Sequence, residues 1–120
     1  MAITSYAQLG PYINSLLTPA QTNGIVNRSP HGAMWDELQY VEFVEGNVPG
    51  VTDPNTGDPM PILVKGNAAA SNIILALQGA PGTPFDPNGG AFGPMPAIPP
   101  LFSATQIQPI IDWINAGCPE

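Results

Sequence analysis

Positive charge is what this chain has least of. Arg28 and Lys65 are its only cations against nine acidic residues, which leaves a net charge of −7 over 120 residues. Nucleic-acid binding needs a basic footprint to displace counterions from phosphates, so DNA and RNA are excluded as partners. An anionic membrane surface is disfavoured for the same reason. Cysteine is almost missing too. Cys118 stands alone, so no internal disulfide can form, and zinc sites of four cysteines, or of two cysteines and two histidines, fail on count. No apolar run approaches the length of a membrane-spanning helix, so membrane insertion is not expected. The N-terminus shows no basic segment leading into an apolar one, so no signal peptide is visible. The compartment is left open: periplasmic or secreted if a targeting segment has been removed, cytoplasmic otherwise.

Proline and glycine are abundant instead, at 16 and 13, while 43% of residues are hydrophobic. That balance predicts one compact domain, residues 1–120, with long ordered loops rather than a disordered chain. A first helix is expected over Ser5 to Leu17, opened by the capping box "SYAQ" and carrying Tyr6, Leu9, Ile13, Leu16 and Leu17 at helical spacing. Gly10 and Pro11 inside it predict a kink or a late start. "WDELQYVEFVEG" reads as a second helix and "GNVPGVTDPNTGDPMP" as a turn-rich loop. "GNAAASNIILALQG" reads as a third helix, capped by Asn67 or Ser71 and stopped by Gly79. The final helix opens on Ser103 and Gln106, with an irregular first turn imposed by Pro109 and regular structure from about Gln108. Two loops share a phrase: Asp53-Pro54-Asn55 leads to Met60-Pro61, and Asp86-Pro87-Asn88 leads to Met95-Pro96. Turn chemistry recurring by chance is preferred over duplication, and "DPNTGD" reads as an Asx-turn rather than a calcium loop.

"ILVKGNAAASNIILAL" and "MPAIPPLFSATQIQPIIDWINAG" together resemble the middle helix, axial-methionine loop and C-terminal helix of small bacterial c-type cytochromes. The resemblance implies a mainly α, cytochrome c-like fold of about four helices with long Pro/Gly-rich loops. In that family a Cys-x-x-Cys-His motif tethers haem by two thioethers and its histidine ligates the iron. The matching stretch here is "NRSPHG", with His31 at the ligand position but Asn27 and Pro30 at the cysteine positions. Neither side chain can form a thioether, so covalent attachment is excluded. Met95 stands where the family's axial methionine would be.

The leading expectation is therefore no cofactor: a haem-free binding, assembly or accessory module acting through a protein partner or through self-association. Met34, Trp35, Phe92 and Met60 are its candidate contact residues, and Met34, Trp35, Phe85 and Phe92, which could equally line a haem cavity, are expected instead to fill the space left by a macrocycle. The alternative is an electron carrier with non-covalent haem, or a soft metal, ligated by His31 and Met95; Met34 and Met60 could add thioethers for Cu(I). Catalysis is not favoured. No nucleophile elbow or phosphate-cradling loop is present, and acid–base work would rest on His31 with Asp36 or Glu37.

Overall fold

A computed structural model describes residues 2–22, 31–96 and 100–120. Five helices lie within them: α1 (Tyr6–Leu16), α2 (Met34–Glu37), α3 (Tyr40–Val44), α4 (Asn72–Gln78) and α5 (Ala104–Asn115). Two strands, β1 (Asn47–Thr52) and β2 (Pro59–Pro61), pair antiparallel, with Asn47 opposite Pro61, Thr52 opposite Pro59 and an irregularity between. The architecture is mixed α/β, which overturns the expected mainly α, cytochrome c-like arrangement of about four helices.

The correction has a local cause. The stretch read as loop folds back on itself because the Asp53 carboxylate accepts the Asn55 N–H at 2.8 Å, while Gly57 N–H reaches Asp53 O at 2.8 Å and Asp53 N–H reaches Asp58 O at 2.7 Å. That closed Asx-turn brings the two arms into pairing. Pro49, Pro59 and Pro61 cannot donate to a ladder, so the segment carries no strand signature even though it forms an edge hairpin.

The expected second helix is also divided. Leu38 and Gln39 take extended backbone angles between α2 and α3. The Tyr6 hydroxyl donates to Leu38 O at 2.7 Å, and Gln39 restarts the helix by a reciprocal capping box with Glu42. The third helix likewise splits into a 3-10 turn at Ala68–Ala70 and α4. Here Ser71 Oγ donates to Asn67 O and accepts from Val64 N–H rather than capping α4. Gly79 ends α4 in the left-handed conformation, φ 58°.

Helices α1 and α5 both begin earlier than their prolines suggest. In α1 the side-chain bond shifts to Thr4, whose N–H and hydroxyl both donate to Gln8 Oε1. In α5 the Ser103–Gln106 box is complete, with Ser103 N–H to Gln106 Oε1 at 2.8 Å and Gln106 N–H to Ser103 Oγ at 3.2 Å. It fixes the first turn. Pro109 then removes only the donor for Thr105 O, and Thr105 is exposed, so water can serve that carbonyl.

The main core gathers around α5. Ile107, Ile110, Trp113 and Ile114 are buried against Leu9 and Ile13 of α1, Phe43 of α3 and Ile74 of α4. Buried polar groups are matched: Tyr12 Oη donates to Gln106 O at 2.6 Å and Trp113 Nε1 to Pro119 O at 2.9 Å, and Tyr40 Oη donates to Cys118 O. A second, smaller apolar cluster of Met60, Ala76 and Phe85, with Met95 packed on it, lies apart from this core. Among the described residues no helix is long and apolar enough to cross a membrane.

Candidate functional site

Between the two clusters lies a cavity of about 550 Å³. The main core contributes Met34, Trp35 and Phe102 to its lining, together with Ile13 and Leu77; the smaller cluster contributes Met60, Ala76, Phe85 and Met95. His31 also lines it, with its ring 6.4 Å from that of Trp35. Met34, Trp35, Phe85 and Phe92, expected to fill space, thus line a cavity instead. The exposed lining residues Gly50, Thr52 and Phe92 mark the mouth. No residue of the described lining is charged.

His31 is half-buried, and its Nδ1 lies 2.7 Å from Gly32 O. A carbonyl can only accept, so Nδ1 carries the proton in neutral imidazole and Nε2 keeps its lone pair. Gly32, at φ 54°, permits the turn that follows His31. Ligating histidines in other proteins are fixed in this way, a backbone carbonyl holding one nitrogen while the other is free to bind.

Met95 reaches the cavity by backbone anchoring. Its N–H donates to Ala76 O at 2.9 Å, and Phe92 N–H and Gly93 N–H both donate to Pro84 O. The loop can approach α4 closely because residue 79 is glycine: a Cβ there would stand 3.0 Å from Pro94 Cβ. At the base of the loop Asp86 accepts Gly82 N–H at 2.9 Å and Asn88 N–H at 2.8 Å, which holds its carboxyl below the usual range. Phe85 and Phe92 meet at 5.9 Å.

The structure brings together every donor singled out in the sequence. His31, Met34, Met60 and Met95 all line the same cavity. Met34, Trp35 and Met60 are buried, so of the four candidate contact residues only Phe92, 37% exposed, presents its side chain to a partner directly. Asp36 turns to Asn14 rather than to His31, with Asn14 Nδ2 donating to Asp36 Oδ2 at 3.2 Å. Cys118 is fully buried in the main core, and burial, only partly offset by Gly66 N–H and Lys65, pushes its thiol up. Asn27 and Pro30, at the cysteine positions of the resembled motif, and Arg28 lie outside the described residues.

Sequence reasoning missed Ala76, Leu77 and Phe102 as cavity residues. Ala76 and Leu77 sit on a helix whose apolar positions all read as core, and only the packing separates the two sides. Met60 was singled out, but not the structural link between the two loops that share the Asp-Pro-Asn phrase. Both copies build the same turn, with the aspartate accepting from the asparagine N–H at 2.8 Å and the glycine four residues on bonded to the aspartate carbonyl at 2.8 Å. Both are followed by a methionine in the cavity wall. Compared with known protein families, curated proteins and solved structures, the chain finds no match, so the likeness to c-type cytochromes rests on the quoted residues alone.

Proposed function

We propose that this domain binds a large, flat, apolar ligand in the cavity, and that haem held without thioethers, ligated by His31 Nε2 and Met95 Sδ, is the occupant its chemistry fits best. The observation that carries this reading is the cavity's size set against its lining. The cavity opens to solvent on one side, and its walls are apolar almost throughout; a ligand that covered them would gain about 25 cal/mol for each Å² of apolar surface removed from water. Water can enter at the mouth, but an ordered water needs several polar partners. The lining offers few beyond His31, Thr52 and Asn72, and Asn72 Nδ2 is already committed to Pro61 O at 2.7 Å. An apolar ligand resolves the conflict.

The donor set supports haem in particular. An imidazole with Nε2 free and a thioether on the neighbouring cluster would hold the iron, and apolar walls would favour a high reduction potential. One-electron exchange at iron is the chemistry such a group supplies when bound; the chain's part is to ligate, orient and shield it. With no cation among the described lining residues, acidic groups on the ligand would sit at the mouth, in water.

The test is haem titration of the purified protein followed by absorption. A Soret band should form at one equivalent and weaken in His31→Gly, and added imidazole should restore it. Met95→Leu should leave the band but change its axial-ligand signature. A band insensitive to both substitutions refutes the ligation. The haem-free reading, a module docking a protein partner or a second copy, draws support from Phe92 at the mouth, where a partner's apolar side chain could take the ligand's place. Absence of any haem uptake, with concentration-dependent sedimentation lost in Phe92→Ser, would favour it.

A further inference from the structure

The Trp35 wall of the cavity is held from outside. Residues Gly10 and Asn14 stand four apart on α1, hence on one face of that helix, and both meet α2. A Cβ at Gly10 would lie 2.9 Å from Asp36 Oδ1 and 3.0 Å from Trp35 O, so only glycine lets the α2 backbone come this close. One turn along, Asn14 Oδ1 accepts the Trp35 indole N–H at 2.9 Å while Asn14 Nδ2 donates to Asp36 Oδ2 at 3.2 Å. Asn14 is itself exposed and lines no part of the cavity, whereas Trp35 is 9% exposed and does. An indole N–H in that position needs an acceptor, and losing it would turn the ring to seek water.

We infer that Asn14 is a positioning residue: by clamping the Trp35 indole and the Asp36 carboxylate together, it sets the place of the wall facing His31 and thereby which flat ligands the cavity admits. The inference rests on the proposed binding function for its consequence, but the clamp itself can be read without ligand. The two bonds are reciprocal in type. An amide at 14 gives its oxygen to the indole and its N–H to the carboxylate at 36. A carboxylate at 14 with an amide at 36 can make both bonds again: the indole still donates to residue 14, and only the bond between 14 and 36 exchanges donor and acceptor.

The experiment uses the full chain and four proteins: wild type, Asn14→Leu, Asn14→Asp, and Asn14→Asp/Asp36→Asn. Hydrogen exchange of the Trp35 indole N–H is read by NMR, its resonance told from that of Trp113 by its loss in Trp35→Phe. Binding of haem and of the neutral dye Nile red is measured on the same samples. Exchange should speed at least tenfold in Asn14→Leu, and ligand affinity should fall about three- to tenfold while thermal unfolding moves little. Asn14→Asp places a second carboxylate against Asp36 and should also weaken binding; the exchanged pair should recover most of the affinity and protection. Unchanged indole protection in Asn14→Leu overturns the inference, as does unchanged affinity or failure of the exchanged pair to recover. If wild type takes up no haem, the haem reading falls separately, and indole exchange with Nile red binding still decides the clamp.

Discussion

Filling the cavity should stabilise the protein and disable it in the same step. Ala76 is the place to do so: it sits on α4, lines the cavity and packs with Met60 and Phe85. Ala76→Leu keeps a strong helix former and sends three additional carbons into the void. At about 0.8 kcal/mol for each buried methylene, the gain is roughly 2 kcal/mol, which raises the unfolding midpoint by about 8 °C if each kcal/mol is worth ~4 °C in a chain of this size. The opposite sign applies if the space is already packed, because an oversized side chain in a full core costs about 1–3 kcal/mol. The assay is paired: thermal and urea unfolding of the ligand-free protein, then haem or Nile red titration. A higher midpoint with lost binding is expected. A lower midpoint, or a higher one with binding intact, would refute the cavity as both void and site.

Three further outcomes follow from particular residues. Gly79→Ala forces a Cβ at φ 58° to within 3.0 Å of Pro94 Cβ, so it should cost about 1–2 kcal/mol in urea unfolding and weaken ligand uptake by lifting the Met95 loop. At the acid end, Asp86 is held low chiefly by Gly82 N–H and then by Asn88 N–H; the stability it contributes is present above its unfolded value and lost as pH falls through the lower folded one, below about pH 4. Asp86→Ala should flatten that limb of a plot of urea midpoint against pH. At the alkaline end, burial raises Cys118, and it also raises Tyr12 and, with Asp36 and Glu42 adding, Tyr6. Groups raised on folding stabilise fully below their unfolded values, so stability should fall as pH climbs past about 8.5 for the thiol and about 10 for the phenols, and Cys118→Ala should remove the earlier decline.

What could be read from the chain was what the chain decides locally. The Ser103–Gln106 box, the Gly79 stop and the apolar stripe of α5 are settled within a few residues of each other, and the structure places them accordingly. The hairpin was hidden because Pro49, Pro59 and Pro61 suppress every strand signal while the Asp53 turn does the folding. The break between α2 and α3 has no glycine or proline to announce it. Its cause is tertiary, a Tyr6 hydroxyl donating to the Leu38 carbonyl from 32 positions away. The cavity was misjudged for a related reason. Composition supplied enough aromatic volume to fill it, but Phe85 and Phe92 pack against each other, and the Asn14 clamp holds Trp35 in the wall. His31 and Met95 were paired from the sequence and both line the cavity; that Met95 packs on a separate apolar cluster was not legible.

The lining also constrains what can enter. Three thioethers and one imidazole face a space with no carboxylate, thiol or cation among its described residues. A hard cation such as calcium or magnesium would find no oxygen cage there. Soft, polarisable partners remain: aromatic rings, which thioethers contact favourably, and metals that accept sulfur and imidazole together. A flat aromatic macrocycle carrying such a metal satisfies both at once. A bare soft ion would satisfy the donors and leave most of the 550 Å³ unfilled, and for that reason a macrocycle, rather than an ion alone, is the occupant we propose.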